Sequence, residues 1–218
     1  MNEEFRTHGV TENTPKEILL GAGTIHKGLK FADGKWNIKE SLFGATSGGN
    51  KLSIVPEVLD VEVDGALVKT KGLTFKQGET ATLETNLLEL TPELIKTLVI
   101  GEVVENLEIE GYDLIESRAD IKEGDYLENI AFVGKKTDGT PIIVILDNAL
   151  CTSGFEAEGK NKNAAVMKAT FECYADPNKG NLDKLPYHIY YPKKGSNDNP
   201  RRRERIKEGR YLNNEQRN

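Results

Sequence analysis

The chain has 218 residues, a formal net charge of −6, 37% hydrophobic residues and two cysteines. This length allows one or two domains, and the composition supports a globular core rather than a membrane protein. No run approaches the roughly eighteen apolar residues that span a bilayer, and the polar start MNEEFRTHGVTENTP is unlike a secretory signal. We therefore predict a chain made in the cytoplasm without a membrane anchor, with Cys151 and Cys173 as core thiols.

The net charge is distributed unevenly along the chain. Residues 193–218 hold nine Lys or Arg and four acids, a net +5, whereas residues 1–192 hold 20 bases and 31 acids, a net −11. An acidic body with a basic extension can pair with copies of itself. A solvated terminus after the linker GSNDNP, a short helix from Arg201 to Leu212 and a nucleic-acid-binding arm are the other interpretations.

In chain order, residues 1–17 are predicted to be a flexible N-terminal arm, and residues 18–31 a first strand interrupted by glycines. A long loop is then predicted over residues 33–50, which contain Trp36, Phe43 and the glycine-rich GATSGGN. Long loops in compact domains are usually functional or disordered. The two aromatic residues are therefore either interface anchors or core residues.

Residues 59–90 carry the clearest period-two patterns. The alternation LDVEVD predicts a strand with apolar residues towards the core and acids on the opposite face: Leu59, Val61 and Val63 against Asp60, Glu62 and Asp64. A hairpin turn at Asp64-Gly65 and a return strand over 66–75 follow. The next strand, 79–90, is predicted to point Ala81, Leu83 and Leu87 inward and Thr80, Thr82, Glu84 and Asn86 outward.

One short helix is predicted after Leu90. Thr91 suits the N-cap, Pro92 the first helical position, and Gly101 the end. Leu94, Ile95 and Leu98 would form the face that packs on the sheet.

The remaining residues predict an irregular acidic stretch over 102–125 and then four antiparallel strands at 126–135, 141–146, 164–174 and 187–191. Lys136 to Gly139 read as a hairpin turn. The apolar run Ile142 to Leu146 predicts a central strand that is covered on both faces.

No motif in the chain predicts catalysis, a cofactor or a metal site. GATSGGNK misses the phosphate-binding pattern because Asn50 precedes the lysine and a strand follows, and GAGTIH has His26 in place of the third glycine. The histidines and cysteines have no metal-ligand spacing. We expect a protein that is not an enzyme.

Three ordered segments resemble the major tail tube protein of long, non-contractile-tailed bacteriophages. They are residues 44–90, the stretch DGTPIIVILDNALCTSGFEAEGKNKNAAVMKATFECYADP at 138–177, and LPYHIYYP at 185–192. Together they cover most of residues 19–192. The resemblance implies a mainly β fold, an antiparallel β-sandwich or half-barrel with one short packed helix, a long inter-subunit loop and extended termini. Its domains would be an N-terminal arm (1–17), a tail tube β domain (18–192) and a basic C-terminal extension (193–218).

The resemblance also implies a function. The chain would be a structural virion protein, assembled in the host cytoplasm, that forms stacked hexameric rings around a channel for the genome. Its partners would be itself, the tape measure protein, the tail tip and terminator proteins, and DNA that passes without specific binding. A lumen lined by carboxylates would repel phosphates. The lumen candidates are Asp60, Glu62, Asp64, Glu84, Glu156 and Glu158; the inter-subunit loop candidates are Trp36, Phe43, Gly44, Ser47, Gly48, Gly49 and Asn50.

Three alternatives remain open from the sequence. A tube subunit of a contractile tail or a secretion-type injection machine would share the architecture. A carbohydrate-binding β-sandwich would need exposed aromatic side chains, and the chain has only 7% aromatic residues and one tryptophan. An enzyme of unrecognised type would show activity as a monomer that is lost when one acid is changed.

Overall fold

The computed structural model describes residues 8–104, 109–159, 161–162, 164–179 and 182–193. Nearly all of the prediction for the basic extension, residues 194–218, lies outside these ranges. The elements in chain order are α1 (Thr14–Glu17), β1 (Leu19–Lys27), β2 (Phe31–Ala32), β3 (Lys35–Trp36), β4 (Thr46–Asp60), β5 (Thr74–Leu87), α2 (Pro92–Val99), β6 (Gly101–Val104), β7 (Leu114–Ser117), β8 (Leu127–Lys136), β9 (Pro141–Cys151), β10 (Ala157–Glu158), β11 (Val166–Cys173) and β12 (Tyr187–Tyr190).

One antiparallel sheet dominates the fold. Its strands follow the order β1-β8-β9-β11-β5-β4, with β10 beside β11 and β12 beside β9. The first and last strands approach each other, because Asn50 Nδ2 on β4 donates to the carbonyl of Ala22 on β1 at 2.9 Å. The sheet is therefore curled, and the prediction of a mainly β antiparallel half-barrel with one short packed helix is confirmed.

Strand β9 is shared by two neighbours on the same side. β11 pairs with residues 149–151 of β9, and β12 pairs with residues 143–146. Between these segments Asn148 adopts a left-handed conformation, with φ +47°. Its side chain donates to the carbonyl of Tyr174 at 3.2 Å, which holds the segment after β11 at the branch. This irregularity lets two short strands occupy one side of a long one.

The main core lies inside the curl. The alternation in β5 buries Ala81, Leu83 and Leu87 and leaves Thr82 and Glu84 half-exposed on the outer side, as predicted. Fully buried side chains from four further strands complete this core: Ile25, Ile130, Leu146, Ala149, Met167, Ala169 and Phe171 among them. Period-two patterning thus placed the inner face of β5 correctly.

A smaller apolar cluster covers the other face of the sheet. Leu29, Ala131, Ile143 and Ile145 are buried there, and Trp36 packs against them. Strand β9 therefore contributes buried side chains to both clusters. The prediction of a central strand covered on both faces is confirmed, and the short β2–β3 hairpin provides much of the second cover.

The predicted helix is present as α2, and its start agrees with the sequence. The Thr91 hydroxyl accepts a hydrogen bond from the Leu94 backbone N–H at 3.2 Å, and Leu94 and Leu98 are buried. Its end differs, because Ile100 takes the left-handed position with φ +51°. Gly101 instead begins β6, where an added Cβ would lie 2.6 Å from the Glu116 carbonyl oxygen. The close approach of β6 to β7 therefore requires glycine at this position, whereas the helix cap does not.

Two predictions of local structure were wrong. Residues 33–50 do not form one loop, because β3 lies within them and residues 46–50 already belong to β4. Of the predicted N-terminal arm, residues 1–7 lie outside the described residues, and residues 8–17 include the short helix α1. The acidic stretch 102–125, predicted to be irregular, contains most of β6 and all of β7. Pairing with another strand decides where these strands form, and the side-chain pattern of a single segment does not report it.

The LDVEVD strand was also wrong. β4 ends at Asp60, and residues 61–73 form a connection to β5 in which Asp64-Gly65 is only a local turn. The side chains of Leu59, Val61 and Val63 are 45–50% exposed instead of buried. None of the described residues forms a second layer over this end of the hairpin, so the alternation there does not separate core residues from surface residues.

Candidate assembly surfaces

The β4–β5 hairpin extends beyond the rest of the sheet. β11 pairs with β5 only between Thr82 and Leu87, whereas β4 continues to pair with β5 as far as Thr74. Residues 55–78, here called the arm, therefore comprise two strands paired only with each other and the connection between them. The five strand residues from Thr74 to Gly78 alone give the arm a length of roughly 17 Å at about 3.4 Å per residue.

The arm exposes apolar side chains along its length. The most exposed are Leu67 (97%) and Val68 (79%), both in the connection between the strands. Six further apolar residues of the arm are also exposed: Val55, Val58, Leu59, Val61, Val63 and Phe75. A group of exposed apolar residues this large on a projecting element is typical of an interaction surface.

Side-chain contacts stabilise the arm at its end and at its base. Lys69 contacts the Asp60 carboxylate, and the Thr74 hydroxyl donates to Asp60 at 2.6 Å. The hydrogen bonds from Lys69 and then Thr74 lower the pKa of Asp60 below its usual value. At the base, Glu79 accepts a hydrogen bond from the Leu185 backbone N–H at 3.0 Å. The arm is thereby anchored to the segment that leads into β12.

The predicted lumen carboxylates lie in three separate places. Asp60, Glu62 and Asp64 lie where β4 runs into the connection of the arm, and Glu156 and Glu158 lie in or beside the short β10. Glu84 lies on the outer side of β5, where Lys51 Nζ donates to it at 2.6 Å. This hydrogen bond lowers the pKa of Glu84. The six lumen candidates therefore lie on three different parts of the subunit.

The outer side around Glu84 is nevertheless a continuous polar surface. It comprises the outward residues of the adjoining strands β4, β5 and β11 and carries two positive and two negative charges. We call it the polar face: Lys51, Ser53, Thr82, Glu84, Asn86, Lys168, Thr170 and Glu172.

The predicted inter-subunit loop residues are mostly part of the folded body. Phe43 packs on the main core, with its ring 5.8 Å from that of Phe171 in an edge-to-face arrangement. Asn50 accepts from the Thr85 hydroxyl at 2.7 Å and so links β4 to β5. Gly44 lies just before β4, whereas Ser47, Gly48 and Gly49 lie within it. Their expected place in a free loop is therefore wrong.

Trp36 belongs to an aromatic row that sequence reasoning missed. Its ring is 5.2 Å from Phe31 and 5.0 Å from Tyr190, both in edge-to-face arrangements. Phe31 is 59% exposed and Tyr190 47% exposed. Phe31 and Tyr190, the two ends of this row, are 159 positions apart in the sequence. Only the pairing of β12 with β9 brings them together.

His26 and Ser41 form a buried polar pair. The Ser41 hydroxyl donates to the Asn37 carbonyl at 2.8 Å, so His26 Nδ1–H is the donor to Ser41 at 3.0 Å. The other ring nitrogen then accepts from the Thr24 hydroxyl at 2.8 Å. Burial lowers the pKa of His26, which favours this neutral, satisfied ring. With its proton committed to Asn37, Ser41 suits a structural role better than that of a nucleophile.

A polar cleft opens beside the second apolar cluster. It has a volume of 420 Å³, and Lys30, Asn129, Asp147 and Lys179 are among its lining residues. His188 Nε2 lies 3.2 Å from Asp147, and Lys30 pairs with Glu128 at 2.8 Å. Within the described ranges, no group of three or more His, Cys, Asp or Glu is arranged to hold a metal ion. None of the helices there is long and apolar enough to cross a membrane.

Comparison with known proteins found no matching family model and no matching curated protein. Among solved structures, the chain is similar to a protein in the tail of an empty GTA particle with C6 symmetry: 9% identity, 79% of this chain and 96% of that chain covered, TM-score 0.40. A protein of the native gene transfer agent virion is 13% identical, with 71% of this chain and 92% of that chain covered and a TM-score of 0.38. A protein of the anti-feeding prophage baseplate is 12% identical, with 84% of this chain and 97% of that chain covered and a TM-score of 0.37.

Proposed function

We propose that the chain is a structural subunit of a phage tail, and more specifically that it forms stacked hexameric rings of a tail tube through which the genome passes. The observation that carries this proposal is the arm, a two-stranded projection with a highly exposed apolar end. The three sequence segments that resemble tail tube proteins also support it, and the first of them, residues 44–90, contains the arm.

The arm has the physical properties of an element that is completed by a second copy. An isolated two-stranded ribbon is marginally stable in water, and burial of its apolar side chains against a neighbour would stabilise it. β4 is also the last strand of the sheet path. Its outer edge offers backbone groups to a strand of another subunit, and a closed ring would pair such an edge in every copy.

The proposal extends to the partners that the resemblance implies. In the virion the tube would contact the tape measure protein, the tail tip and the terminator protein. Assembly would take place in the host cytoplasm. A tube subunit of a contractile tail or an injection machine remains the nearest alternative, because it would use the same self-assembly surfaces.

A carbohydrate-binding module is the second candidate, and the aromatic row favours it. Partly exposed rings at Phe31, Trp36 and Tyr190 offer faces on which a sugar ring can stack. A glycan array probed with the monomer separates the two functions. Binding that is lost in Phe31→Ala and accompanied by no assembly would support the module.

The proposed assembly is tested by negative-stain electron microscopy together with light-scattering mass measurement over a range of protein concentrations. We expect rings or tubes with a central channel and a mass that increases with concentration. Because some tube proteins need an initiating complex, the same samples are repeated with a purified tail tip complex. A monomer at all concentrations, with and without the initiator, would contradict the proposal.

We further propose that the polar face lines the channel. It has no net charge and no row of cations, so it offers DNA phosphates little counterion release. Replacing Glu84 and Glu172 by lysine should make assembled tubes retain DNA at low salt and release it as salt rises. Replacing Asp60, Glu62 and Asp64 by lysine tests in the same way whether the end of the arm lines the channel. If tubes of the variant in which Glu84 and Glu172 are replaced by lysine still exclude DNA, the polar face does not line the channel.

A further inference from the structure

The two ends of the described chain meet at one buried lysine. Lys136, the last residue of β8, places its Nζ 3.0 Å from Glu17 of α1 and 3.4 Å from Asp138 in the following turn. The Tyr191 ring, just after β12, lies 5.1 Å from the same Nζ. The Tyr191 hydroxyl donates to Glu17 at 2.5 Å. We call these four residues the terminal clamp.

Backbone hydrogen bonds hold the two ends in place beside the clamp. On the N-terminal side, the Thr137 N–H donates to the Ile18 carbonyl at 2.9 Å, and Leu19 pairs with Lys136. On the C-terminal side, Tyr190 of β12 pairs with Ile143 of β9. Each end thus has only a short stretch of pairing here, and the clamp joins the two stretches through side chains.

The lysine at the centre of the clamp has little access to water, whereas its partner Glu17 is 40% exposed. Only 4% of the Lys136 side chain is exposed. A buried ammonium is tolerated when carboxylates and other groups compensate for its lost hydration. The hydrogen bond to Glu17 raises the pKa of Lys136, so the charged form is the one that the fold stabilises.

We propose that the terminal clamp couples the two ends of the chain, so that displacement of the N-terminal helix also loosens β12. Glu17 holds both Lys136 and Tyr191, and its departure leaves the lysine short of a partner and the tyrosine short of an acceptor. The basic extension that begins at Lys193 follows directly. An interaction that captures the N-terminal segment would therefore free the base of the basic extension at the same time.

Reciprocal variants in the full-length monomer test this coupling by hydrogen–deuterium exchange. Glu17→Gln lies in the N-terminal helix, yet it should speed exchange in residues 187–193 by about tenfold, the effect of losing one charge-assisted hydrogen bond. Tyr191→Phe keeps the ring over Lys136 and removes only the hydroxyl, and it should speed exchange in residues 10–19. Lys136→Met should affect both segments.

Lys135→Met is the matched control, because the neighbouring lysine is exposed and lies outside the clamp. It should leave exchange at both ends unchanged. If Glu17→Gln affects only the N-terminal segment and Tyr191→Phe only the C-terminal one, the ends are independent and the coupling is wrong. Rapid exchange at both ends in the unaltered protein would also overturn it. Exchange in β8 and β9 shows whether each variant is folded.

Discussion

Replacing Leu67 and Val68 together by aspartate is expected to abolish self-assembly and to leave the monomer folded. These are the two most exposed apolar residues of the arm, so their removal costs the monomer almost nothing. In an assembly, burying two such side chains stabilises each contact by about 3–6 kcal/mol, which corresponds to at least about a hundredfold in affinity. The added carboxylates would also have to be desolvated. Light scattering and electron microscopy measure the loss.

The control for the arm variant makes the same chemical change at exposed apolar residues elsewhere. Ile121 and Leu182 are 53% and 65% exposed and lie outside the arm, so their joint replacement by aspartate should leave assembly within a few-fold of the original. If the arm variant assembles normally, the arm is not the contact element. If the control abolishes assembly equally, a general loss of apolar surface is responsible.

Replacing Phe171 by alanine is expected to cause the largest loss of stability among single changes. The side chain is fully buried in β11, between β9 and β5, and packs edge-to-face on Phe43. Truncation of a buried phenylalanine costs about 3–5 kcal/mol, because transfer energy is lost and a cavity remains. For a domain of this size the melting temperature should fall by about 6–20 °C. Thermal unfolding followed by circular dichroism, at concentrations where the chain is monomeric, measures it.

Phe75→Ala provides a matched comparison, because this phenylalanine is 54% exposed on the arm. Its removal should lower the melting temperature of the monomer by at most about 2–4 °C, equivalent to about 1 kcal/mol. A small loss at Phe171 would contradict the assignment of the core. A large loss at Phe75 would mean that the arm is packed in the isolated chain.

Local patterns predicted the strands that lie in the body of the sheet. β8, β11 and β12 were located to within two residues, and β9 was located apart from its C-terminal part. β5 was predicted at 79–90, whereas it runs from Thr74 to Leu87. The helix start was predicted because Thr91 and Pro92 satisfy requirements of the first turn alone. These predictions succeed where a residue's environment depends mainly on its immediate neighbours.

The same patterns failed where the environment is decided at a distance. LDVEVD alternates like a buried strand, but β4 leaves the body of the sheet before this point, and the part of the chain that the structure describes places no core beneath it. Ser47, Gly48 and Gly49 look like loop residues, yet pairing with β5 draws them into β4. Ile100, rather than the glycine beside it, takes the left-handed position at the helix end, because Gly101 is needed against Glu116.

The sequence by itself determined the mainly β class, the inner face of β5, the central position of β9, the helix start and the resemblance that supports the proposed function. Only the tertiary structure decided that the hairpin projects as an arm, that Phe31, Trp36 and Tyr190 form one row, and that Lys136 joins the two ends of the chain. The physical reason is the same in each case. Periodicity reports which way a side chain points, whereas long-range strand pairing decides what it meets there.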